Sequence, residues 1–494
     1  LSNYGILIAV LIYEAVSIVG VGWWITQKAR GVAESGNDFT HGGNGLPLAA
    51  VSLTMALTVL GAVHVLGVFE MTWSLGAAVV WFGIAHVVLL TIVCLGTGRW
   101  VRRLKLSTVP QFLEDAYGLE TRLVVSCVMI GAMFGFLTLE SQGLGILFYS
   151  MTGWDIRAGG VIGGLLGVAY VIFAGMKEVS WLNVINAILM YVALLTAVVF
   201  IAFALPGDGY QTAAEYYRET DQDFMTSIWG TPEILLVFAV PMTIAVVFSQ
   251  ATNQMLLQTT MSARSEKTIV RSLWIAAPVN GMFAVFAAIL ALAAKSWPEY
   301  GAMDGKVATT TMLVEVLPPW LAATLLASFV GVILSTFAMV SLASATLFSN
   351  DIYKRLYRPD ATGAQQVRAT RICIIILGLA ATVLAMNMPQ ILKGVNWLLA
   401  WLVPIFWLFV FGLFWKRNQK VVMTALLVSW TLNSLWSFTS FPALVGMENV
   451  HNAYVTLIVS AVICVLGNLI FGGKPGFFKQ TGDQNDEPAA SQTI

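Results

Sequence analysis

The sequence predicts an all-α polytopic membrane protein with about thirteen transmembrane helices, each needing about twenty apolar residues to cross a bilayer. Three observations predict it. Hydrophobic residues make up 58% of the 494 and charged ones only 11%, with a mean hydropathy of +0.80, a balance that no soluble domain of this size needs. Apolar runs of membrane-crossing length recur along the whole chain. Lys and Arg collect in alternate connecting loops, as cytoplasmic loops do.

The runs lie near residues 4–27, 46–70, 74–97, 122–151, 155–176, 179–206, 232–260, 269–295, 318–349, 367–388, 391–415, 420–441 and 451–472. The first lacks a small-residue cleavage site and is expected to stay as a membrane anchor. With the N-terminus outside, every Lys and Arg falls in a cytoplasmic loop or end except Arg157, Arg218, Lys295, Lys306 and Lys393. That bias predicts N-out, C-in. The outer loop 207–230 holds Asp208, Glu215, Glu219, Asp221 and Asp223 against Arg218; such a rim attracts cations or is simply a solvated loop. The stretch from 474 to 494 is polar and expected to be a disordered cytoplasmic tail.

The lipid bilayer is the partner that composition demands, and no nucleic-acid partner is expected. Cys94, Cys127, Cys373 and Cys464 show no metal or redox spacing and read as packing residues. No GxxxxGK[ST] stretch points to ATP, and no HExxH or paired-carboxylate spacing points to an intramembrane enzyme.

Most informative is the stretch 331–353, GVILSTFAMVSLASATLFSNDIY. It reads as one continuous helix, yet it carries hydroxyls at Ser335, Thr336, Ser341, Ser344, Thr346 and Ser349. Ser335 and Thr336 lie within one turn of the Val332 carbonyl, so three oxygens can converge on one small cation. Small and hydroxyl residues also serve ordinary helix packing in membranes. The second run contains Gly61 and Gly67, and the seventh contains Pro241 with Ser249, Gln250, Thr252, Asn253 and Gln254. These two are five runs apart and suit interrupted helices in matching halves of a transporter.

STFAMVSLASATLFSNDIYKRL resembles the signature helix of the sodium:solute symporter family, with Ser335, Thr336 and then Asp351, Ile352, Tyr353 and Lys354 in place. Four weaker marks follow in the family's order. RWVRRLKLSTVPQFLEDAYG offers Thr108, Pro110, Leu113, Tyr117 and Gly118; GMKEVSWLNVIN keeps Gly175, Val179 and Trp181; NQMLLQTTMSARS has Asn253, Gln254, Gln258, Ser262, Ala263, Arg264 and Ser265; PIFWLFVFGLFWKR has Pro404, Gly412, Trp415 and Lys416.

The resemblance implies a five-plus-five inverted-repeat core like that of the bacterial leucine transporter. On that reading residues 1–30 form an extra N-terminal helix, 46–206 the first repeat, 231–416 the second, and 420–473 two further helices. It also implies a sodium site built from the carbonyls of Leu57 and Leu60, the carbonyl of Val332, and the hydroxyls of Ser335 and Thr336. Departures from the family pattern matter too. Leu182–Asn183 stands where relatives have Thr-Asp, Asn186 stands for a Gln, and Thr259 for an Arg. Losing the carboxylate at Asn183 predicts a single sodium site, and Val59 replaces the polar residue that relatives use for sugar or proline.

Candidate solute contacts are therefore Val59, His64, Glu140, Ser249, Gln250 and Asn253, since ionisable groups inside the membrane are costly and default to function. His64 is read either as a carboxylate or proton site or as a packed histidine. Glu70 is read as facing water at a segment end, and His86 as a packing residue. The expected activity is sodium-driven import, by alternating access, of a small polar organic solute, an amino acid or short organic acid rather than a sugar. The alternatives are proton coupling on the same fold and a transporter-like sensor. A bacterial inner membrane is the expected location.

Overall fold

The structure, a computed structural model, describes residues 3–28, 36–173, 175–386, 391–448 and 450–478. Its helices of nine or more residues are α1 Asn3–Lys28, α2 Leu48–Thr58, α3 Ala62–Leu75, α4 Val80–Ile92, α5 Val109–Tyr117, α6 Leu119–Thr152, α7 Ile156–Phe173, α8 Met176–Ala204 and α9 Tyr210–Glu219. There follow α10 Val240–Gln250, α11 Gln254–Ser262, α12 Glu266–Ser296, α13 Gly305–Val316, α14 Pro319–Leu347, α15 Gly363–Ala385, α16 Ile391–Phe414, α17 Gln419–Phe438 and α18 Asn452–Phe471. Such a chain has to be helical, because a bilayer offers no water to satisfy an open backbone.

The expected count of thirteen crossings is not confirmed. Among the described residues, 11 helices are long and apolar enough to span a membrane. The second predicted run is divided into α2 and α3, and the fifth, as α7, is too short for that count. α3 and α4 belong to one uninterrupted helical stretch, Ala62–Arg103, yet the chain reverses within it. A straight helix would put His64 and His86 about 33 Å apart at 1.5 Å per residue, whereas their ring centroids are 4.7 Å apart. The reversal centres on Gly76 at φ 59°, where a side chain would be strained and would strike the Met225 backbone.

Both expected interruptions are present. α2 stops at Thr58 and α3 starts at Ala62; α10 stops at Gln250 and α11 starts at Gln254. Asn253 caps α11 by accepting from the Met255 N–H at 3.1 Å. The two interrupted helices are also sewn together, since Leu46 N–H donates to the Ser262 carbonyl at 3.0 Å and Arg264 N–H donates to the Leu46 carbonyl at 3.2 Å.

α14 occupies the middle, packed on α1, α2, α6, α7, α8, α11 and α15. Every residue of its most apolar stretch is buried. Its small side chains allow this close approach: a Cβ on Gly331 would lie 2.7 Å from the Asn186 amide. Beyond Leu347 the helix continues as a wider, π-type turn, Phe348–Tyr357. There the fully buried Asp351 receives Arg122 (Nη2 at 2.5 Å), Thr108 Oγ1 at 2.8 Å and Ser126 Oγ at 2.9 Å. Glu114 joins Arg122 to Arg355, with contacts of 2.5 and 2.6 Å. A carboxylate inside a protein needs this much compensation to remain charged.

α1 and α18 lie at the edge and carry many exposed apolar side chains, among them Ile8, Val16, Val19, Leu466 and Ile470, as lipid-facing helices do. Lys474 and Pro475, expected to open a disordered tail, instead pair antiparallel with Lys416 and Arg417. The rest of that expected tail, from 479, lies outside the described residues. The four cysteines are free thiols.

Candidate functional site

The first interruption frees backbone groups that an unbroken helix would satisfy internally. Leu60 N–H folds back onto the Leu57 carbonyl at 3.0 Å, and Asn280 Nδ2 donates to the Ala56 carbonyl at 2.8 Å. On the far side of the gap, Ala62 N–H donates to Glu140 Oε2 at 2.8 Å. The start of α3 is positively polarised, so a carboxylate there is favoured. Gly61 leaves room for it; a Cβ at that position would overlap the Glu140 carboxylate.

α14 faces this gap with its hydroxyl pair. Thr336 Oγ1 lies 2.9 Å from the Leu57 carbonyl and 3.3 Å from the Val332 carbonyl. Ser335 Oγ donates to Asn183 Oδ1 on α8, and Asn183 Nδ2 reaches Thr54 Oγ1 on α2 at 3.3 Å. The structure therefore brings Leu57, Val332 and Thr336 into direct contact and holds Ser335 next to them. Leu60 stands in the gap itself. The donors are uncharged oxygens, buried, on two elements. Hydroxyls that rotate their hydrogens away would present lone pairs to a cation, and neutral oxygen sets suit an alkali ion. No group of three or more His, Cys, Asp or Glu able to hold a metal ion occurs among the described residues.

Directly beside this cluster is a small cavity of about 50 Å³. Thr58, Val59, Gly61, His64, Phe82, His86, Phe136, Glu140, Gln250 and Thr336 all line it. Of the expected solute contacts, Val59, His64, Glu140 and Gln250 are there. Ser249 and Asn253 are not among the lining residues. The Ser249 hydroxyl turns to the Val246 carbonyl at 3.4 Å, and Asn253 acts at one remove, its Nδ2 donating to Gln250 Oε1 at 2.6 Å. His86, expected to pack, lines the cavity. Its signal was positional: 64 and 86 lie at similar distances on either side of the Gly76 turn, so a hairpin makes them neighbours. Glu70, expected to face water, has Oε2 buried without a hydrogen-bond partner and does not line this cavity.

Comparison with known proteins follows the same outline. The model of the sodium:solute symporter family matches residues 39–428. The chain belongs to the sodium:solute symporter family. The sodium/glucose cotransporter of Vibrio parahaemolyticus is 23% identical over 452 residues, covering 83% of this chain and 80% of the relative. The high-affinity proline transporter PutP of Bacillus subtilis (strain 168) is 25% identical over 438 residues, covering 81% and 88%. Among solved structures, a sodium-coupled sialic acid symporter in a substrate-bound outward-open state superposes with a TM-score of 0.77 at 18% identity, over 94% of this chain and 97% of that one. MhsT in complex with L-phenylalanine superposes with a TM-score of 0.54 at 14% identity, over 85% and 98%. Those likenesses establish the leucine-transporter-like fold. Family membership makes this symporter an integral membrane transporter rather than an enzyme, with sodium as its coupling ion.

Proposed function

We propose that this symporter uses an inward sodium gradient to import a small polar organic solute, an amino acid or short organic acid rather than a sugar, by alternating access. One sodium ion is held by the carbonyls of Leu57, Leu60 and Val332 and the hydroxyls of Ser335 and Thr336. The observation that carries the reading is the bridge from Thr336 on an unbroken helix to the Leu57 carbonyl at a broken one, at 2.9 Å, on the wall of the cavity that takes the solute.

A cation placed there ties α2 to α14 and favours the arrangement in which they touch. Coupling arises because ion and solute each bind that arrangement more tightly than its alternative. The solute is read as non-sugar because Val59, an apolar side chain, stands at the cavity wall. Asn183 supplies an amide oxygen without a charge, which supports one sodium site rather than two. Location in a bacterial plasma membrane with the N-terminus outside belongs to the same reading, supported by the distribution of Lys and Arg.

The test is uptake into proteoliposomes loaded with potassium and diluted into sodium, with radiolabelled amino acids and organic acids as probes. Accumulation that needs an inward sodium gradient is expected, and it should collapse in Ser335→Ala/Thr336→Ala. Equal accumulation driven by a pH gradient in sodium-free buffer would overturn sodium coupling at this site.

A further inference from the structure

The cavity beside the ion cluster presents hydrogen-bond acceptors, and this decides what kind of solute it can hold. His64 Nδ1 lies 3.1 Å from the Val59 carbonyl, and His86 Nδ1 lies 2.8 Å from the Phe82 carbonyl. A carbonyl only accepts, so the hydrogen sits on Nδ1 in both rings. In the neutral imidazole Nε2 is then a bare lone pair. His64 is 1% exposed, and its Nε2 has no hydrogen-bond partner. Glu140, 2% exposed, adds a carboxylate that accepts from Ala62 N–H. These three side chains line one cavity, and among the described residues no Lys or Arg lines it with them.

An acceptor buried without a donor costs free energy, and a buried carboxylate without a cation costs more. A solute that brings N–H donors and a positive charge relieves both. A solute that brings only a carboxylate would set a second carboxyl group beside Glu140 and bring no N–H to the imidazoles. Gln250 supplies the opposite polarity. Its Oε1 is taken by Asn253, which leaves the amide N–H groups for an acceptor on the solute.

We infer that the solute carries a primary or secondary ammonium group, bound by Glu140 with His64 and His86, and that simple organic acids and quaternary amines are excluded. The inference deepens the transport reading above and rests on its placement of the solute in this cavity. It assigns His86 as a binding residue, and it separates amino acids and amines from the organic acids that the sequence left open.

The test is thermal stabilisation of the purified symporter in detergent, with and without sodium. The probes are L-alanine, L-serine, ethanolamine and putrescine, set against lactate, succinate, glycine betaine and glucose. Stabilisation by at least one of the N–H amines, and by none of the second group, is expected. Glycine betaine has the positive charge without an N–H, so its silence distinguishes hydrogen bonding to imidazole from charge alone. Glu140→Gln retains an oxygen for Ala62 N–H and should raise the amine concentration needed by tenfold or more. Stabilisation by any member of the second group, or silence from all four amines, overturns the inference. Sodium added without solute reads the ion site separately, so a failed amine assignment is not confused with failed sodium coupling.

Discussion

Replacing Thr336 by Val exchanges a hydroxyl for a methyl of similar shape, so the fold has little reason to fail. Without an ion, the change removes the bond to the Leu57 carbonyl at 2.9 Å, a buried neutral hydrogen bond contributing about 0.5–1.5 kcal/mol. The carbonyl is not orphaned, because Leu60 N–H still reaches it at 3.0 Å. With the ion in place the same change removes an oxygen from a charge, on the scale of about 1.5–3 kcal/mol for hydrogen bonds to charged groups. The difference, about 1 to 1.5 kcal/mol, corresponds to a roughly five- to thirteenfold weaker apparent sodium affinity. Sodium titrations of thermal stability, with potassium replacing sodium at constant ionic strength, read this directly. An unchanged sodium midpoint in Thr336→Val, with a normally folded protein, would refute the assignment of this hydroxyl as an ion ligand.

Further predictions concern the scaffold. Arg122→Met strands Asp351, whose side chain is 0% exposed, and should destabilise the symporter by about 3–5 kcal/mol; adding Asp351→Asn should recover much of it in the same melting assay. Gly61→Ala forces the Glu140 carboxylate out of its place against α3, so solute-dependent stabilisation should disappear even if the protein still folds. His41, outside the spanning helices, has its pKa lowered by burial to about 4, with the hydrogen bond to Ser107 opposing this in part. The unfolded chain binds a proton near pH 6.5 and the folded one does not, so stability falls as pH drops from there towards 4. His41→Gln should flatten that part of the pH–stability curve, and an unaltered slope would count against it.

Much of this was legible because it rests on local chemistry. Adjacent hydroxyls stand out in an otherwise apolar helix, and Gly61 and the polar cluster at 249–254 mark where helices stop, whereas Gly67 and Pro241 lie inside helices. What escaped depended on contacts distant in sequence. Nothing near Ser335 says that its hydroxyl meets Asn183 on another helix. The burial of His86 was visible from its apolar surroundings, but its partner depended on where the chain turned. Ser249 and Asn253 are polar residues at a helix break, which suits a binding role and a capping role equally well; only the cap geometry separates the two. The pairing of 474–475 with 416–417 is too short to leave a hydrophobic pattern.

The two-bond stitch at Leu46 joins the entrance of one interrupted helix to the exit of the other. Segments fastened at a common corner move as a single lever: tilting one drags its mate, and sliding them apart would break two backbone hydrogen bonds at once. On the proposed mechanism, rocking that admits solute from one side then carries both gaps together, so the proposed ion oxygens and solute wall change shape in the same stroke.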